Sequence, residues 1–112
     1  MGLKISVIGT GYLGAVHAAC MAELGHDVVG VDTDVLKIEA LAAGRSPIFE
    51  PGLPELLASA QASGRLRWST AIADVADADV HFVCVGTPQK PGEYAANTDY
   101  VFGAFASLAP HM

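Results

Sequence analysis

Basic residues are what this sequence lacks. Six lysines and arginines stand against twelve acidic residues among 112, giving a net charge of −6 and a pI near 4.9. No Lys/Arg cluster reverses that balance locally, so no nucleic-acid partner is expected. Cysteine is nearly as scarce. Cys20 and Cys84 lie in apolar runs with neither metal-ligand nor C-x-x-C spacing, and both are expected as buried free thiols of a cytoplasmic protein. No apolar run approaches the roughly 18 residues that a membrane span requires, and no signal peptide precedes the first apolar segment. No membrane association is therefore expected. The opening MGLKIS fits the loose N-myristoylation pattern, but residues 3–8 are needed as a strand, so lipidation is not expected either. Repeats and low-complexity segments are absent.

What is present suits a packed core. Hydrophobic residues make up 52% of the chain and charged ones 16%, which argues for a globular α/β domain and against disorder. A chain of this length is one domain or part of one, burying roughly two-thirds of its unfolded surface.

The order of elements is legible. LKISVI (3–8) predicts a strand buried on both faces. A helix follows, with Leu13, Val16, Cys20 and Leu24 sharing one apolar face and Gly25 ending it. DVVGVD (27–32) predicts a second strand. DVLKIEALAAG (34–44) predicts a second helix, with Asp34 as N-cap and Gly44 as its stop. Pro47, Pro51, Gly52 and Pro54 then impose a shaped loop before a short helix reaching about Ser63. RLRWST (65–70) predicts a third strand, AIADVADA a short helical connection, and DVHFVCVGTP (79–88) a fourth strand running into a Pro/Gly loop. Thr98 or Asp99 is placed to cap a last helix through YVFGAFASLA.

Strand, helix and strand within about 30 residues make a right-handed parallel βαβ unit. Inside it sits Gly9-Thr10-Gly11-Tyr12-Leu13-Gly14, a G-x-G-x-x-G that follows a strand and opens a helix. Gly9 permits the tight turn, Gly11 lacks the Cβ that would obstruct a pyrophosphate, and Gly14 lets the helix approach the strand. The phosphates would meet the free N–H groups and positive dipole end of that helix. Asp32 ends the second strand about 20 residues on, where a carboxylate accepts hydrogen bonds from the adenosine ribose. A 2′-phosphate there would face that carboxylate at a cost of roughly 1–4 kcal/mol, or about ten- to a thousandfold in affinity. NAD is therefore expected over NADP.

Lys37, just beyond, is either a contact to ribose or phosphate or an ordinary exposed helical lysine. Thr87, past the fourth strand, is a candidate contact for the nicotinamide half, with an ordinary loop threonine as its alternative. His17, His26, His81 and His111 are not expected to be catalytic. Neither cysteine has a neighbouring base or an exposed position that would make it a nucleophile. The predicted fold is a Rossmann-like, doubly wound α/β parallel sheet, truncated after about four of six strands in the order 3-2-1-4-5-6. Its fourth strand is then an apolar edge open to self-association.

Together these residues resemble the amino-terminal NAD-binding domain of the UDP-glucose/GDP-mannose dehydrogenases. Four motifs carry the resemblance in order: G-x-G-Y-hydrophobic-G, D-x-x-x-x-K from Asp32 to Lys37, S-P-I-x-E-P-G-L around Glu50 to Leu53, and the G-T-P that holds Thr87. The resemblance implies cofactor contacts at Leu13 (through its backbone), Asp32, Lys37 and Thr87; with Gly9, Gly11, Tyr12 and Gly14 of the glycine turn, these are the candidate cofactor-binding residues. It implies no catalytic or metal-binding residue in this chain. The activity it implies is an NAD-dependent, four-electron oxidation of the C6 alcohol of a nucleotide sugar to a carboxylate, UDP-glucose being the substrate in the branch it favours. Two hydrides leave in turn, and a cysteine holds the half-oxidised carbon as a thioester. That cysteine belongs to a G-G-x-C-F-P-K-D type stretch, absent here together with the family's catalytic lysine, asparagine and glutamate. Residues 1–112 are thus expected to be an incomplete cofactor domain that binds without turning over. Enzymes acting on GDP-mannose or a UDP-N-acetylamino sugar are the near alternative. A non-catalytic NAD-sensing module is the distant one, and the proline-rich 45–54 stretch argues against it.

Overall fold

In the computed structural model, which describes residues 2–45, 51–84, 103 and 106–111 (Tyr12 by its backbone alone), four strands form one parallel sheet. They are β1 (Lys4–Ile8), β2 (Asp27–Val31), β3 (Leu66–Ser69) and β4 (Val80–Val83), ordered β3-β2-β1-β4. This is the expected 3-2-1-4 order. In register, Val7 stands between Gly30 and Phe82, and Ile8 between Val31 and Val83. The near-continuous β-branched runs are explained by burial on both faces, as crossover helices cover a parallel sheet.

The helices are α1 (Tyr12–Glu23), α2 (Val35–Ala42) and α3 (Leu53–Ala62), and a 3₁₀ turn spans Ile72–Val75. One core joins Ile5, Val7, Val28 and Leu66 of the sheet to alanines of α1 and to Leu53, Leu57 and Ala60 of α3. A second, smaller core on the opposite face joins Ile8, Val29 and Val31 to Val75 and Leu108. On that same face Ser6 is fully buried and shares a 2.6 Å hydrogen bond with His81 Nδ1, its register partner. Asp34 caps α2 through its carboxylate, as expected, accepting from the N–H groups of Leu36 at 3.0 Å and Lys37 at 3.3 Å. Gly25 and Gly44, both at positive φ, stop α1 and α2. The fourth strand's continuation beyond Cys84, the 46–50 stretch and Thr98/Asp99 lie outside the described residues; residues 103 and 106–108 are helical.

The expected buried face of α1 is the wrong one. Leu13 is 74% and Leu24 70% exposed, Cys20 is exposed and Val16 only partly buried. Ala15, Ala18, Ala19 and Ala22 face the sheet instead. Both sets follow helical spacing, so periodicity cannot choose between them. Distance does. Gly14 lies so close to β1's exit that a Cβ there would sit 1.8 Å from the Gly9 carbonyl oxygen. A helix pressed that near the sheet has room for methyl groups beneath it and none for leucines. The same choice places Cys20 on the surface; Cys84, just past β4, is half-buried, so the expectation of two buried thiols is corrected.

His26, just past the end of α1, accepts the Leu3 N–H on its Nδ1 at 3.0 Å and so pins the start of β1.

Candidate functional site

The carboxyl ends of β1 and β2 bring the glycine turn and Asp32 together. Gly9 donates its N–H to the Val31 carbonyl at 2.8 Å, then turns at φ +95°, in the left-handed region that a side chain resists. Gly14 is required by the 1.8 Å approach to Gly9. Gly11 answers to neither demand. Its φ of −67° and ψ of −167° suit any residue, and a Cβ built on it meets none of the described residues within 4 Å. Among the described residues, then, neither the backbone nor the packing calls for a glycine at position 11.

Gly11 is the N-cap of α1 and makes no side-chain cap. The first intrahelical bond runs from Ala15 N–H to Gly11 carbonyl at 2.9 Å. The N–H groups of Tyr12, Leu13 and Gly14 therefore precede the helical ladder, at its positive dipole end. Such a terminus, bare and glycine-lined, is suited to a phosphate. The contrast with α2, whose start Asp34 already satisfies, is internal to this chain.

Asp32 stands across from the turn. Its Oδ2 accepts from the Thr10 N–H at 2.9 Å and the Thr10 hydroxyl at 3.1 Å, while its Oδ1 accepts from the Asp34 N–H at 2.9 Å. Partial burial alone would raise its pKa. The bonds from Thr10 and Asp34, helped by the charge of Lys37, outweigh that effect and hold the carboxyl below its ordinary range. Asp32 is ionised at any physiological pH. A carboxylate offers about four lone-pair sites; the described residues engage three of them, one on Oδ1.

Lys37 lies on the first turns of α2, exposed, with its charge felt at Asp32. Leu13 is exposed on the first turn of α1, beside the N–H groups it helps supply. Thr87 and the Tyr12 side chain lie outside the described residues, as do Glu50 and the rest of 46–50. Thr10, fully buried between two glycines, is the contributor that motif reading passed over. A hydroxyl-bearing residue at the first variable position of G-x-G was the available signal. A separate shallow cleft of about 250 Å³ opens at the opposite edge, where Lys4, Asp27, Arg65, Arg67 and Asp77 meet. It lies at the amino ends of the strands, away from the edge where open α/β sheets bind ligands. His17 packs edge-on against Phe82, ring centroids 4.3 Å apart, and so is held as a core-facing side chain.

A glycine turn, a bare helix start and an ionised acid at the end of the next strand define a dinucleotide-binding βαβ unit. Comparison with known proteins carries the assignment further. Residues 3–112 match the model of the UDP-glucose/GDP-mannose dehydrogenase family, NAD binding domain. Over 111 residues, 98% of this chain, the sequence is 48% identical to UDP-glucose 6-dehydrogenase of Rhizobium meliloti and covers 25% of that protein. It is 51% identical over 89 residues, 79% of the chain, to GDP-mannose 6-dehydrogenase of Pseudomonas syringae, covering 20% of it. The structure of a UDP-glucose dehydrogenase from Pyrobaculum islandicum superposes with a TM-score of 0.93 at 42% identity, covering 99% of this chain and 26% of that one. The chain belongs to the UDP-glucose/GDP-mannose dehydrogenase family, as its NAD binding domain. It spans about a quarter of the length of the UDP-glucose relatives it matches. Among the described residues, no helix is long and apolar enough to cross a membrane.

Proposed function

We propose that this chain is the cofactor-binding part of a UDP-glucose 6-dehydrogenase, an enzyme that oxidises UDP-glucose to UDP-glucuronate with two NAD. The observation that carries the cofactor site is Gly11, whose lack of a side chain serves neither its backbone conformation nor its packing among the described residues. The chain's own residues then have distinct tasks. The N–H groups of Tyr12, Leu13 and Gly14 hold the pyrophosphate, which approaches over Gly11. Asp32 accepts a ribose hydroxyl on Oδ1 and repels a 2′-phosphate. Lys37 balances the charge of Asp32 and reaches toward the ribose. Thr87, four residues past Val83 in sequence, is the proposed contact for the nicotinamide half. When bound, NAD supplies a hydride acceptor for the sugar's C6 carbon. The reacting cysteine of such enzymes is not in this sequence, so the chain by itself binds cofactor without turning over.

GDP-mannose is the second reading for the sugar, favoured by the 51% identity to a GDP-mannose 6-dehydrogenase. Assay of the intact parent protein with each nucleotide sugar separates the two. For the cofactor site, the decisive experiment is calorimetric titration of the chain with NADH, with NADPH as the paired control. NADH binding with NADPH at least about tenfold weaker is the expected result. Equal affinities would remove the role given to Asp32, and no binding by a folded chain would overturn the site as drawn.

A further inference from the structure

We propose that Thr10 is a specificity-determining positioning residue: its buried hydroxyl and its backbone N–H together clamp one oxygen of Asp32, so that the carboxylate meets the cofactor ribose in a single orientation. The inference rests on the cofactor site proposed above and deepens it. Thr10 and Ser6 are the only buried polar side chains among the described residues. Ser6 has His81 as its partner; Thr10 has Asp32. A hydroxyl carried into the core needs such a bond, and this one ends on the residue that reads the ribose.

The geometry leaves Thr10 little freedom. Its Cγ2 stands 3.4 Å from where a Cβ on Gly30 would lie, so the methyl rests over the β2 backbone. A β-branched residue so placed is stiff at χ1, which aims the hydroxyl at Oδ2. Asp32 Oδ2 thus has two donors from one residue, at 2.9 and 3.1 Å, while Asp34 N–H holds Oδ1 from the other side. The carboxylate plane is set from both ends before any ligand arrives. This matters for selectivity. An unrestrained aspartate can turn aside for a 2′-phosphate, or recruit a cation, whereas a clamped one cannot. Among the described residues, the other charged groups nearby are Lys37 and Asp34 on α2, and Asp74, which is hydrogen-bonded to Ser69 on the β3 side; Asp34 is itself occupied in capping. The Thr10 hydroxyl is the one side-chain donor to Asp32 among the described residues, and a near-isosteric substitution removes it.

The test uses the 112-residue chain as Thr10→Val, Thr10→Ala and Thr10→Ser. Thermal melting verifies folding of each, and Thr10→Ala covers the case in which valine does not fit. Carboxyl NMR follows the titration of Asp32 without nucleotide, and calorimetry gives NADH and NADPH affinities. Both hydroxyl-free variants should titrate Asp32 at higher pH than wild type and bind NADH about three- to tenfold more weakly. NADPH should change less, so the preference shrinks. Thr10→Ser should restore all three. An unchanged Asp32 titration and an unchanged NADH/NADPH ratio in a folded hydroxyl-free variant would overturn the clamp. So would parallel loss of both nucleotides without a titration shift, which marks simple packing. A wild-type chain that binds neither nucleotide overturns the cofactor reading instead, while the Asp32 titration still decides for or against the clamp.

Discussion

Replacing Gly11 by alanine separates what the ligand needs from what the fold needs. The added methyl meets none of the described residues within 4 Å, and the backbone already sits where alanine is comfortable. Two small folding effects oppose each other. Restricting the unfolded chain stabilises by about 0.4–1 kcal/mol, and alanine is a poorer N-cap than glycine by a comparable amount. Net stability should move by less than about 1 kcal/mol, or within about 5 °C in melting temperature. Binding should respond quite differently. The methyl holds a pyrophosphate off the N–H groups of Tyr12, Leu13 and Gly14, and charge-assisted hydrogen bonds are worth about 1.5–3 kcal/mol each. Loss of one to two such bonds weakens NADH about tenfold at the least and beyond a thousandfold at the most. Gly14→Ala is the paired control, because its Cβ would meet the Gly9 carbonyl oxygen at 1.8 Å, a backbone atom that cannot step aside. That variant should lose about 3 kcal/mol or more of stability. Melting curves and NADH titrations on both variants read the difference. A Gly11→Ala chain that binds NADH as wild type does, or that unfolds, would refute the reasoning.

Asp32 predicts an acid limb. Its folded pKa is below the ordinary value of 3.8, so its contribution to stability is complete above that value and is lost only as pH falls through the lower, folded one. Melts of wild type and Asp32→Asn from neutral pH to about pH 3 should therefore differ by a constant amount until the acid end, where the gap closes. Of the two thiols, exposed Cys20 should react first with a disulfide reagent, followed by mass mapping; half-buried Cys84, its thiol pushed up by burial, should lag. Modification of Cys84 ahead of Cys20 would contradict the placement of α1. Trp68, the sole tryptophan, lies over Gly30, where a Cβ would come within 2.4 Å of the indole. Gly30→Ala should displace the ring, cost about 1–3 kcal/mol and shift tryptophan emission; unchanged emission would count against that packing.

Much of this molecule is written in short-range chemistry. β-branched runs buried on both faces mark β1 and β2. Asp34 before an apolar turn marks α2, and the glycine spacing followed by Asp32 marks a dinucleotide site, because each demand is met by neighbours in the chain. Three matters were left to the tertiary structure. The sheet-facing side of α1 is the alanine stripe because Gly14 touches Gly9, and only that contact sets how far the helix stands from the sheet. The exposure of Cys20 and Leu24 follows from the same distance. Asp32 is named by its place at the end of β2, yet part of its orientation and of its lowered pKa comes from Thr10, 22 residues away, and exists only once β1 and β2 lie side by side. Periodicity along a chain reports which residues can share a face. The separation between packed backbones, a property of the whole fold, determines which face is used and which donor reaches which acid.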